Sequence, residues 1–215
     1  MPSIDDSLIV HVGQCGIQVG GAMWSKLAPL HGMLYYDEEP PTPRAILVDT
    51  EPKPMRTMRC EARSRQGLFF RDQLCIADTT ARGRGGSWAM GYVDNDPEFL
   101  EQIEDTLRRE IEYNDRSLDV VIVHSLAGGT GGGLGSRVME MAREQLGSHG
   151  LLTALSISIN EVLALQRIEE VCDFGIFVEN SSFKASSVEE LNSRIAAAIL
   201  DTLQSRSGLG LDDFQ

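Results

Sequence analysis

The segment SLAGGTGGGLGSR, Ser125–Arg137, holds six glycines in thirteen residues and directly follows the apolar run VVIVH. Glycines leave main-chain N–H groups open to a ligand, and such a turn at the start of a helix binds anions such as phosphate. Thr130 would add a hydroxyl donor. The segment lacks the GK[ST] of a Walker A loop, and it does not follow the first strand, where a dinucleotide-binding GxGxxG stands. It therefore predicts a phosphate-binding turn, with a flexible linker as the alternative interpretation.

Two carboxylates follow another apolar run. Asp49 and Glu51 lie in the segment DTE, directly after RAILV. A carboxylate repels a neighbouring phosphate unless Mg²⁺ or a held water lies between them. The pair therefore predicts a Mg²⁺ site at the mouth of the same cleft, although a helix cap or an exposed turn explains it equally well. A third turn, GQCG, follows the first apolar run and offers the Gln14 amide.

These turns stand within an alternation of strands and helices, indicated by apolar runs and by helical periodicity. Strands joined by helices pair in parallel, so we expect an α/β fold with a doubly wound, mainly parallel sheet and helices on both faces. A ligand then lies beyond the carboxyl ends of the strands. The predicted strands are 7–13, 44–49, 68–77, 118–125, 151–158 and 174–180. The predicted helices are 14–30, 97–115, 135–150, 160–173 and 186–208, with 55–67 helical or irregular, and 31–43 and 78–87 as loops.

The composition narrows the function class. The 215 residues carry a formal net charge of -13, with a pI near 4.7. An acidic surface argues against nucleic acid or an anionic membrane as partner, because both need clustered Lys and Arg. No apolar run is long enough for a membrane span. The four cysteines have no CxxC spacing, which favours reduced thiols in a cytoplasmic protein. His11 and His124 lie within predicted strands, which favours core positions over a catalytic role.

Four ordered segments together resemble the tubulin family: GQCGIQVG, RAILVDTEPKPM, GGSWAMGY and HSLAGGTGGGLGSR. The last is similar to the tubulin signature GGGTGSG, with Ala127 and Gly132 as the two differences. Ala127, VDTEPK and WAMGY resemble the delta and zeta branches more than alpha or beta. The resemblance implies that residues 1–215 form a single nucleotide-binding domain of the tubulin/FtsZ type. This domain would end at the family's central helix, and the intermediate and C-terminal domains would be absent.

The resemblance also implies a ligand, GTP or GDP with Mg²⁺, and a role for individual residues. Asp49 and Glu51 match carboxylates near Mg²⁺ and the γ-phosphate. Asn180 and Asn192 match two asparagines that read guanine, since an Asn side chain offers both a donor and an acceptor. The positions that match the phosphate-binding and base-binding loops are Gly13, Gln14, Cys15, Ser125, Ala127, Gly128, Gly129, Thr130, Gly131, Gly132 and Gly133. A loop that senses the γ-phosphate matches Gly85, Gly86 and Ser87, without the usual paired asparagines.

The sequence departs from the family pattern near the base. A ribose-contacting loop after residue 158 and about one helix between Asn180 and Asn192 are shortened. Val188 stands where an aromatic ring usually stacks on the base. We therefore expect guanine binding to be affected more than phosphate binding. Side chains at Gly129 or Gly131 are expected to occupy the space of the phosphates.

The resemblance implies a structural role in the microtubule cytoskeleton of the cytoplasm, at the centriole, basal body or cilium, with other tubulins or microtubule components as partners. In tubulins, an acidic residue from the next subunit completes hydrolysis, so GTP turnover would depend on a partner. Two alternatives remain open. One is a self-sufficient GTPase or ATPase. The other is an interaction module that keeps the fold and binds little or no nucleotide.

Overall fold

A computed structural model describes residues 7–27, 34–113, 119–148, 150–157 and 162–207. The strands are β1 (Ser7–Val12), β2 (Tyr35–Tyr36), β3 (Thr42–Pro43), β4 (Ala45–Asp49), β5 (Cys75–Ala77), β6 (Asp119–Ser125), β7 (Leu152–Ile157) and β8 (Phe174–Val178). The helices are α1 (Gly13–Leu27), α2 (Pro52–Gln66), α3 (Trp88–Val93), α4 (Pro97–Glu112), α5 (Gly135–Leu146), α6 (Val162–Val171) and α7 (Val188–Ser207). The predicted shortening at the ribose loop, 158–161, lies outside the described residues.

Six strands form one sheet in the order β5-β4-β1-β6-β7-β8, and every neighbouring pair is parallel. The chain builds outward from β1 to β5 on one side and then from β6 to β8 on the other. The two directions meet between β1 and β6, which is where ligands bind in sheets of this class. The predicted doubly wound α/β fold is confirmed.

Helices cover both faces of the sheet because the central strands are apolar on both sides. Ile9 packs in the layer of α1, α2 and α7, whereas its neighbours Leu8 and Val10 pack in the layer of α4, α5 and α6. All six residues of β1 are buried. Two-sided burial of this kind is characteristic of parallel sheets, and it holds the carboxyl ends of β1, β4 and β6 in fixed positions.

Three predicted segments differ from the structure. The predicted strand 68–77 is a strand only at β5, because Leu68 and Phe70 turn into the core beside α1 and α2. Segment 31–43 was predicted as a loop, yet it contains the antiparallel pair β2–β3. The glycine segment forms a π-helical turn, Gly129–Leu134, that runs directly into α5. Helix α3, between the loop 78–87 and α4, was not predicted.

Among the described residues, no helix has the length and apolarity that a membrane crossing requires.

Candidate functional site

A cleft of about 450 Å³ opens at the carboxyl ends of β1, β4 and β6, at the switch point of the sheet. Most residues predicted for phosphate and Mg²⁺ binding meet here. The cleft is lined by Gln14, Cys15, Gln18, Asp49, Glu51, Gly83, Arg84, Gly85, Ser125, Ala127, Gly128, Gly129, Thr130 and Gly131. Segments far apart in sequence thus form one site.

The glycine turn forms one wall of the cleft. Gly128, at φ +90°, begins the turn in a backbone conformation that side chains disfavour. Gly13, at φ +75°, lies behind this wall, where a Cβ would stand 3.0 Å from the nitrogen of Gly131. Gly13 therefore permits the start of α1 to approach the turn closely, and it does not line the cleft itself.

Gly132 and Gly133 lie on the far side of the turn, away from the cleft. A Cβ on Gly133 would stand 2.7 Å from the nitrogen of Tyr92, within α3. The nitrogen of Gly132 donates to the carbonyl of Gly128 at 3.1 Å. The structure thus uses these two glycines to pack the turn against its neighbours.

The expectation that side chains at Gly129 and Gly131 would fill the ligand's space is wrong. A Cβ on Gly129 would stand 2.8 Å from the carbonyl carbon of Arg84, and one on Gly131 would stand 2.8 Å from the oxygen of Ser125. Both directions point into the protein. These glycines are required because the turn is packed tightly from behind.

Asp49 and Glu51 face the cleft from the end of β4 and the start of α2. Asp49 Oδ1 accepts from the Glu51 N–H at 3.1 Å, and Asp49 Oδ2 is buried without a partner among the described residues. Burial, reinforced by the Glu51 carboxylate, raises the pKa of Asp49 to about 6. Glu51 occupies the N-cap position of α2, but its side chain makes no capping hydrogen bond. Asp49 Oδ2 and the Glu51 side chain therefore remain available to a ligand.

The predicted γ-phosphate loop lies against the glycine turn. Gly85, at φ +52°, accepts from the N–H of Gly129 at 2.8 Å. Ser87 caps α3 by accepting from Met90, so its hydroxyl has a structural partner. Gly86 is exposed and has no neighbour within 4 Å of an added Cβ. Of the three, only Gly85 lines the cleft.

Two buried side chains support the turn from beneath, and sequence reasoning gave neither of them this role. The Thr50 and Thr130 hydroxyls share a hydrogen bond of 2.9 Å. His124 bonds the Gly131 carbonyl through Nδ1 and the Ser156 hydroxyl through Nε2, each at 2.9 Å. Burial lowers the pKa of His124 to about 4, so the ring is neutral and donates from Nδ1 to the carbonyl. The predicted core position of His124 is confirmed.

The cleft holds further residues that the sequence analysis did not select. Gln18 lies one helical turn after Gln14, a spacing that places both side chains on one face of α1. Arg84 comes from the basic run ARGRGG, whose position after a strand was the available signal. Cys15 was selected, and burial raises the pKa of its thiol to about 11, so it contributes a neutral contact.

The predicted base-reading asparagines lie outside this cleft. Asn192 lines an adjoining groove of about 590 Å³ between α1, α2 and α7, which shares Gln14, Gln18 and Glu51 with the cleft. Asn180 lies in a short 3-10 turn after β8, and its Oδ1 is buried without a partner among the described residues. Asn180 lines neither cavity.

Comparison with known proteins agrees with this geometry. The profile of the Tubulin/FtsZ family, GTPase domain, matches residues 6–187. A tubulin beta-1 chain of Mus musculus is 31% identical over 208 residues, covering 81% of this chain and 45% of that relative. A tubulin gamma chain of Caenorhabditis elegans is 31% identical over 207 residues, covering 81% and 46%. This chain thus spans less than half the length of these relatives, and it belongs to the Tubulin/FtsZ family.

Proposed function

We propose that this chain binds GTP or GDP together with Mg²⁺ in the cleft at the switch point. One observation carries the proposal: the glycine turn and the buried carboxylate of Asp49 line the same cleft. Backbone without side chains suits the phosphates, and an oxygen ligand suits the cation that phosphates bring with them.

The phosphates would lie along Gly128–Gly131, with the Thr130 hydroxyl as an added donor. Gln14, at the start of α1, and Ser125, at the end of β6, complete the polar lining. Gly132 and Gly133 contribute by holding the turn in place from behind. The assignment rests on the composition of the turn, because Gly128, Gly129 and Gly131 would present a triphosphate chain with backbone that carries no Cβ.

The residues present fit a magnesium ion. Asp49 Oδ2 is buried without a hydrogen-bond partner among the described residues, and a cation would supply the missing interaction. Among those residues, no three His, Cys, Asp or Glu side chains cluster as a complete metal site, so the ion would need phosphate oxygens besides Asp49 and Glu51. Bound Mg²⁺ would neutralise phosphate charge beside the two carboxylates.

The base is proposed to extend from the cleft into the adjoining groove. Gln14 and Gln18 line both cavities, so the two spaces adjoin along α1. Asn192 lines the groove and would address the guanine edge, whereas Asn180 would need to turn its unpartnered Oδ1 toward the base. Val188 is 59% exposed beside the groove and offers no aromatic stacking.

The cellular role follows from the family. We propose a structural role in the microtubule cytoskeleton of the cytoplasm, with other tubulins as partners, and the centriole or basal body as the finer location. GTP hydrolysis would then require an acidic residue from a partner, because Asp49 and Glu51 are assigned to Mg²⁺. Sedimentation of the tagged chain with assembled microtubules tests the partner proposal.

Thermal unfolding with added nucleotide tests binding. Saturating Mg-GTP should raise the melting temperature, since a ligand at 100 times its Kd stabilises the native state by about 2.7 kcal/mol. ATP is the matched control for the base, and GTP with EDTA is the control for the metal. Asn192→Asp should weaken GTP relative to ATP and leave the phosphate contribution intact.

Three outcomes would contradict parts of the proposal. An unchanged melting temperature in Mg-GTP would favour an interaction module that binds no nucleotide. Rapid GTP turnover by the isolated chain would contradict the partner-supplied acid. Equal losses of GTP and ATP affinity in Asn192→Asp would remove that residue from base recognition.

A further inference from the structure

Arg84 is the sole cation among the described residues that line the cleft. Its side chain is only 4% exposed. Nη2 pairs with Asp78 Oδ2 at 2.8 Å, and Nη1 donates to the Arg82 carbonyl at 2.8 Å. Those bonds use two of the five N–H donors of a guanidinium, and Nε is buried without a partner among the described residues. Arg84 therefore retains donor capacity.

Arg84 lies between two walls of the cleft, the glycine turn and the carboxylates. On one side its backbone packs against Gly129, whose N–H donates to Gly85 at 2.8 Å. On the other side, a Cβ on the preceding Gly83 would stand 3.1 Å from Glu51 Oε2. Arg84 thus belongs to the loop that joins the glycine turn to the carboxylates, which is where the outermost phosphate would lie.

The partner of Arg84 keeps part of its own stabilisation when Arg84 turns away. Although burial opposes ionisation, hydrogen bonds from Thr80 and Arg84 hold the pKa of Asp78 below its usual range. Asp78 Oδ1 accepts from both the N–H and the hydroxyl of Thr80, each at 2.8 Å. Asp78 therefore keeps two donors when the guanidinium turns toward a second anion.

We propose that Arg84 is a further nucleotide-binding residue, which donates to the terminal phosphate of a bound nucleoside triphosphate. This inference rests on the proposed function of the cleft. A guanidinium suits phosphate oxygens because its donors are planar and permanently charged. A diphosphate lacks the group that Arg84 contacts, so Arg84 makes the site prefer the triphosphate. Asp78 competes with the phosphate for the same guanidinium and limits that preference.

The experiment compares two variants that break the same ion pair in opposite ways. Arg84→Gln removes the cation and should weaken GTP by about 10-fold or more, a value typical of a lost charged hydrogen bond, with little effect on GDP. Asp78→Asn frees the cation and should strengthen GTP. Arg84→Lys is the matched control that keeps the charge. Affinities for GTP and GDP are measured by titration calorimetry at one Mg²⁺ and salt concentration, since screening alters the comparison.

The outcomes separate this inference from the proposed function. A wild-type chain that binds neither nucleotide would overturn both. A wild-type chain that binds both, with an unchanged GTP-to-GDP ratio in Arg84→Gln, would overturn Arg84 alone. A merely structural ion pair predicts that Asp78→Asn weakens GTP as Arg84→Gln does, and that result would also overturn the inference. If Arg84→Gln fails to fold, the GTP affinity of Asp78→Asn is compared with that of the wild type. Stronger binding supports the inference, and weaker binding overturns it.

Discussion

Gly91 provides a direct test of how α3 supports the glycine turn. A Cβ on Gly91 would stand 3.0 Å from the Cα of Gly129 and closer still to its carbonyl oxygen. Helix propensity alone favours Gly91→Ala by about 1 kcal/mol. Overpacking against another backbone costs about 3 kcal/mol, since neither atom can move by rotating a side chain. The clash therefore outweighs the gain in helix propensity, and Gly91→Ala should lower the free energy of unfolding by about 2 kcal/mol.

Denaturant titration and thermal unfolding measure this loss. A change of about 2 kcal/mol corresponds to a melting temperature lower by about 4–8 °C in a domain of this size. Gly86→Ala is the control, because an added Cβ there has no neighbour within 4 Å and its effect should stay within about 0.5 kcal/mol. The displaced Gly129 carbonyl should also lower affinity for Mg-GTP.

A Gly91→Ala chain as stable as the wild type, or more stable, would refute the reasoning. It would mean that helix propensity outweighs the contact, and hence that α3 does not press against the turn as described. A loss equal to that of Gly86→Ala would point instead to a general cost of replacing glycine.

Three further predictions concern buried polar groups. The pKa of Asp49 is raised from 3.8 to about 6, so ionisation of its carboxyl costs the ligand-free fold up to about 3 kcal/mol. The free energy of unfolding of the wild type should therefore fall relative to that of Asp49→Asn as the pH rises through 6. Denaturant titrations at several pH values measure this difference. Burial lowers the pKa of His11 and His124 from 6.5 to about 4, so the stability that the two neutral rings contribute is complete above pH 6.5 and is lost as the pH falls toward 4. Ring-proton NMR should show both rings neutral at about pH 5.5. A titration midpoint near 6.5 would contradict their burial. Thr50→Val removes the hydrogen bond to Thr130 and should weaken GTP about 5-fold; Thr50→Ser keeps the hydroxyl as control, and equal affinities in the two variants would count against a positioning role.

Much of the fold could be predicted because its signals are local. The runs at β1, β4 and β6 are apolar on both faces, and Phe99, Ile103 and Leu107 follow helical spacing in α4. Segment 68–77 was predicted less well. Leu68 and Phe70 are as apolar as strand residues, but they pack beside α1 and α2 instead of extending β5. Whether these residues extend a strand or pack beside helices depends on contacts between distant segments, and hydrophobic periodicity gives no information about such contacts.

The site shows the same division. The glycine segment and the DTE carboxylates were recognisable, since their residue types have few other uses at the ends of strands. The roles of Arg84 and Thr50 were not recognised, because each acts through a partner elsewhere in the chain, Asp78 and Thr130 respectively. The inward direction of Gly129 was also hidden, since a glycine reveals nothing about which neighbour a side chain would meet.

By itself, the sequence determined the kind of chain this is: an acidic α/β domain whose motifs carry the resemblance to tubulins, with glycines and carboxylates placed after apolar runs. Those properties are local, because hydrophobic periodicity and the backbone freedom of glycine depend only on the residues of one segment. Only the tertiary structure decided which groups share the cleft, that Asn192 lines a neighbouring groove, and that Arg84 stands between the turn and the carboxylates. These are relations between segments brought together by the packing of a parallel sheet, so they exist only once the whole domain has folded.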